Sequence, residues 1–104
     1  MKRAQYRQGD VLLVPVNEIP NGSISEASDG SRVVLAYGEV TGHAHAIDST
    51  LAATFQHGQE RFLKVEPGAI LRHEEHSPLN LAPGAYRVII QREYEPSGWR
   101  RVAD

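Results

Sequence analysis

The chain has 104 residues, of which 40% are hydrophobic and 23% charged, with a formal net charge of -2. That is room for one domain with one core and offers no bulk positive charge for non-specific nucleic-acid binding. Cysteine is absent, which excludes disulfides, thiolate catalysis and Cys-ligated zinc. No apolar run approaches the roughly 18–20 residues that span a bilayer, so no membrane partner is expected. The basic start (Lys2, Arg3, Arg7) lacks the apolar core of a secretory signal. A cytoplasmic location and a single domain over 1–104 are the expectations.

In chain order, Gln8-Gly9-Asp10 reads as a turn feeding a strand over 11–16, with Pro15 placing that strand at an edge or near its end. Residues 17–31, rich in Pro, Asn, Gly, Ser and Asp, read as a mobile loop. Residues 32–37 form a second strand and Gly38 a bulge or turn. Residues 43–47 alternate as a strand. The stretch 48–56 is the one place for a short helical turn or two, capped by Asp48 or Ser49. Residues 55–65 suggest a hairpin turning at His57-Gly58, 69–71 a short strand, Leu79 and Leu81 another, and 86–94 the longest. About seven or eight short strands at this spacing predict a mainly β domain, a small barrel or sandwich.

Four of the five histidines fall in two tight pairs. In His43-Ala44-His45, strand alternation puts both imidazoles on one face, about 7 Å apart at Cα. In His73-Glu74-Glu75-His76 the two share a face only if the segment turns. A cysteine-free His and Glu set suits zinc, iron, manganese or nickel. His43 and His45 with His73 or His76 would leave a coordination position open, as catalytic sites do. Glu74 and Glu75 are the candidate catalytic carboxylates, as ligand, imidazole partner or general base. The spacing is not the His-Glu-x-x-His of zinc proteases. The plainer alternatives are a solvent-facing His-Ala-His strand and a charged His-Glu-Glu-His loop, with His57 a surface residue.

Thr41-Gly42 offers flexible backbone before the first pair, most simply a bulge. Tyr86, Tyr94 and Trp99 are read as packing groups. Arg87, Arg92, Arg100 and Arg101 are candidates to line a site for a small-molecule or anionic ligand. Two other function classes remain open: a protein-interaction module of phage or bacterial-defence type, and a metal-free histidine acid–base protein cleaving RNA. A small domain with edge strands is also a candidate homo-oligomer.

The blocks Gln8-Gly9-Asp10-Val11-Leu12-Leu13, Gly38 to His45, His73 to His76 and Gln91-Arg92-Glu93-Tyr94 resemble a group of short uncharacterised bacterial and phage proteins, over Tyr6 to Asp104. That resemblance implies no activity. A looser likeness is to cupins, β-barrels that hold a metal with His-x-His and a later histidine. Asp48, Ser49 and Thr50 stand where the cupin pattern has a glutamate.

Overall fold

A computed structural model of the chain describes residues 3–38 and 42–91. Runs of Val, Leu, Ile and aromatic residues cut by Gly, Pro, Asn and Asp become short strands, because branched side chains suit a half-buried pleat and the cutters suit turns. The strands are β1 (Tyr6–Gln8), β2 (Val11–Val16), β3 (Ile24–Ser25), β4 (Arg32–Tyr37), β5 (Ala44–Asp48), β6 (Ala52–His57), β7 (Glu60–Val65), β8 (Ile70–His73), β9 (His76–Asn80) and β10 (Gly84–Ile90). They form two open antiparallel sheets, β1-β2-β10-β7-β6-β3 and β4-β5-β8-β9, with no closed barrel. Among the described residues there is no helix, and so none long and apolar enough to cross a membrane.

The inner faces of both sheets share one core. Val11 and Leu13 of β2, Leu63 and Val65 of β7, and Tyr86 and Val88 of β10 meet Val33 and Leu35 of β4, Ile47 of β5 and Leu71 of β8. The alternation is what makes this possible: Leu13 lies opposite Val88, and Tyr86 opposite Leu63, so large apolar groups repeat on one face. Arg61 of β7 ties the sheets together. Its guanidinium donates to the Val34 and Leu35 carbonyls, at 2.8 and 2.6 Å, where β4 is bulged, and to Glu26 Oε1 at 2.9 Å.

Three expectations change. Residues 48–56 hold no helical turn: Asp48 Oδ1 accepts from Thr50 N–H and O–H, turning the chain straight into β6. The 17–31 loop contains β3, which pairs with β6 at Ile24–Gln56 and Ser25–Phe55. The 55–65 hairpin turns one residue later, at Gly58-Gln59, with its first strand starting at Ala52. Among the described residues the strands number ten, against an expected seven or eight, the extra ones being two or three residues long. Pro15 sits inside the sheet opposite Tyr86, but β1 begins at Tyr6 opposite Leu13 and does not reach Pro15, so no strand needs the missing N–H on that side.

Candidate metal centre

Two hairpins, one from each sheet, meet at one end of the molecule. Gln8 and Val11 pair to close the two-residue turn Gly9-Asp10, and His73 and His76 pair to close Glu74-Glu75. Directly paired residues of antiparallel strands project on the same face, which is why His73 and His76 meet, with ring centroids 4.7 Å apart. The start of β5 runs beside them and adds His43 and His45.

His45 lies at the centre. It is 3% exposed, with its ring 4.3 Å from that of His73 and 5.6 Å from that of His76. His43 precedes β5 and stands on the far side of His73, ring centroids 5.7 Å apart and nearly perpendicular. All four imidazoles line one cavity of about 260 Å³ with Asp10, Gly38 and Glu75. The structure thus groups the donors differently from the His43-plus-His45 expectation. Nitrogens of His45, His73 and His76 lie within 4.8 Å of one another, and a second set under the same limit is His43, His73 and Glu74. These histidine groupings could hold a metal ion.

Buried Gln8 fixes the chemistry of His45. Its amide nitrogen donates to the Leu71 and Ser77 carbonyls, at 3.0 and 2.9 Å, so its Oε1 must accept from His45 Nδ1 at 2.9 Å. Nδ1 therefore carries a proton, and Nε2 is the nitrogen turned toward Asp10 Oδ1, at 3.5 Å. A proton on Nε2 makes this contact an ion pair, and a neutral ring leaves Nε2 as the donor that a cation beside Asp10 would take. A ligating histidine usually donates its other ring N–H to an oxygen acceptor that fixes its orientation, and Gln8 Oε1 is such an acceptor here.

The carboxylates take distinct positions. Glu74 Oε1 accepts the Ala44 N–H at 3.0 Å, which holds its carboxyl below the usual glutamate range, helped by its own N–H. Glu75 Oε2 lies 3.3 Å from His43 Nδ1, and the Glu75 N–H donates to His73 Nδ1 at 3.0 Å. With Asp10, three carboxylates edge the imidazole cluster and favour a bound cation.

Backbone space is also used. Gly9 has φ 59°, and a Cβ there would stand 2.8 Å from His76 Nε2 and 3.1 Å from His45 Cε1. Gly38 would bring a Cβ to 3.2 Å from His73 Nε2. Gln8-Gly9-Asp10 stands out in the sequence as a turn and as one of the resemblance blocks, but no local pattern shows that Gln8 and Asp10 reach His45. His57, at the end of β6, is exposed and outside these groups. Lys2, Thr41, Arg92, Tyr94, Trp99, Arg100 and Arg101 lie outside the described residues. Arg87 pairs with Glu60 at 3.2 Å rather than lining the cavity.

No curated protein and no solved structure matches the chain. A family model covers residues 7–91, a span that takes in Gln8, Gly9, Asp10 and all four clustered histidines, and the chain belongs to that family, a domain of unknown function (DUF8820).

Proposed function

We propose that this protein binds one divalent transition-metal ion through His45, His73 and His76, with Asp10 beside the ion and at least one coordination position open to substrate or water. The observation that carries the reading is the Gln8-locked tautomer of His45, aimed at a cluster whose donors come from three separate strand ends. Bonds of about 2.0–2.1 Å in a tetrahedral site put donors roughly 3.3–3.4 Å apart. Nitrogens of His45, His73 and His76 lie within 4.8 Å of one another, and the exposed His76 can draw in.

An ion held by the three histidines with a position open would lower the pKa of bound water or polarise an oxygen of a substrate, which fits metal-assisted hydrolysis; oxygen chemistry would need a redox-active ion such as iron(II) in its place. Glu75, exposed beside His43, is the group placed to exchange a proton with what binds there. The RNA-cleaving alternative leans on Arg100 and Arg101, so it gains no support from the described residues.

The test is zinc titration of tag-free protein by calorimetry, with thermal melts alongside. One zinc per chain is expected, with about 2.7 kcal/mol of added stability at a hundredfold excess over Kd. His76→Ala, an exposed substitution, is expected to weaken binding at least tenfold, and His57→Ala not to change it. Binding by the wild type no tighter than by a His45→Ala, His73→Ala, His76→Ala triple variant refutes the proposal.

A further inference from the structure

His73 belongs to two donor sets at once. Its ring meets His45 at 4.3 Å, tilted by 37°, and His43 at 5.7 Å, edge-on at 83°. Beside His43, the Glu74 carboxylate is held by the Ala44 N–H and reaches the same space. Donor atoms of His43, His73 and Glu74 lie within 4.8 Å of one another, as tight as the limit met by the three-histidine set.

We infer that His43, His73 and Glu74 form a second divalent-cation position, exclusive of the first, which takes manganese(II) or iron(II) where the three-histidine position takes zinc. This rests on the metal-binding reading above and adds a choice of position made by the ion. A neutral imidazole holds one ion, because its other nitrogen carries the proton. His73 therefore serves one set or the other. The donor chemistry separates them: three imidazoles suit zinc, whereas two imidazoles and a carboxylate with open positions suit iron(II), and carboxylate with water suits manganese(II). The surroundings agree. His43 is 23% exposed against 3% for His45, and Glu74 is exposed, so an ion at the second position keeps more of its water.

The experiment titrates tag-free apoprotein with zinc by calorimetry and with manganese(II) by the electron paramagnetic resonance signal of the free ion. The wild type is expected to bind one ion of either kind, with zinc displacing manganese one for one. Glu74→Gln keeps an oxygen for the Ala44 N–H, and it should raise the manganese Kd at least tenfold more than the zinc Kd. His43→Gln should do the same, and His76→Ala the reverse; thermal melts of each apoprotein check that it folds. Simultaneous binding of two ions, or equal proportional effects of Glu74→Gln and His76→Ala on both metals, overturns the inference. Failure of the wild type to bind zinc instead overturns the three-histidine reading, and manganese binding through Glu74 would then stand alone.

Discussion

Gln8 joins the residues of the candidate centre although it contributes no ligand. Its amide satisfies the Leu71 and Ser77 carbonyls and the His45 Nδ1–H together, in a position 3% exposed. Gln8→Leu, similar in size, should cost about 1–3 kcal/mol in urea denaturation by leaving those groups without a partner. It should also weaken zinc binding about 10–100-fold by freeing the tautomer; zinc binding at wild-type strength would break the link between the amide and the centre. His73 gives a second test. Its Nδ1 accepts the Glu75 N–H, and ligation through either nitrogen ends that bond: Nδ1 is consumed, or it takes the proton. Zinc should therefore speed hydrogen exchange at the Glu75 amide while the rest of the fold is stabilised. Slower exchange there would mean that His73 stays out of the coordination. Neither role was legible in the sequence, because Gln8 lies 63 and 69 residues from the carbonyls it serves.

Hairpin turns do most of the positioning at the scale of elements. The Gly9-Asp10 and Glu74-Glu75 turns each close a two-residue loop, and the imidazoles meet between them. Gly9 and Gly58 have nearly the same backbone, φ 59° and 62°, but a Cβ at Gly58 meets nothing within 4 Å. Gly58→Ala should then cost only the left-handed conformation, about 1–2 kcal/mol. Gly9→Ala should cost more and weaken zinc binding as well, because it pushes on His76; equal costs with intact zinc binding would show that the close approach does not matter. Asp48 turns β5 into β6, and its hydrogen bonds from Thr50 N–H and O–H hold its pKa below the ordinary aspartate value. A depressed folded pKa means that the stabilisation is present above the unfolded value of about 3.9 and is lost as pH falls through the folded one. Asp48→Asn should flatten the acid limb of a melting-temperature profile in that range; an unchanged limb would place the acid sensitivity elsewhere. The strands over 32–37 and 11–16 could be read outright, since both are branched apolar runs bounded by turn formers. The 48–56 segment misled because an Asp-Ser-Thr cap serves a tight turn as well as a helix.

Across the whole molecule, two sheets share one core, and Arg61 stitches β7 to the bulge of β4. The mainly β class followed from spacing alone, whereas the open two-sheet arrangement depends on which strands become neighbours, which local pattern does not encode. The same holds for the centre. The four histidines stood out in the sequence, but their division into a His45–His73–His76 set and a His43–His73–Glu74 set follows from the β8–β9 pairing and from the side on which β5 begins. The most direct test of that division is zinc K-edge X-ray absorption on tag-free protein loaded with one equivalent. The account predicts three imidazole nitrogens at about 2.0–2.1 Å, falling to two in His76→Ala; a shell of oxygens with one imidazole or none, unaltered in that variant, would contradict it.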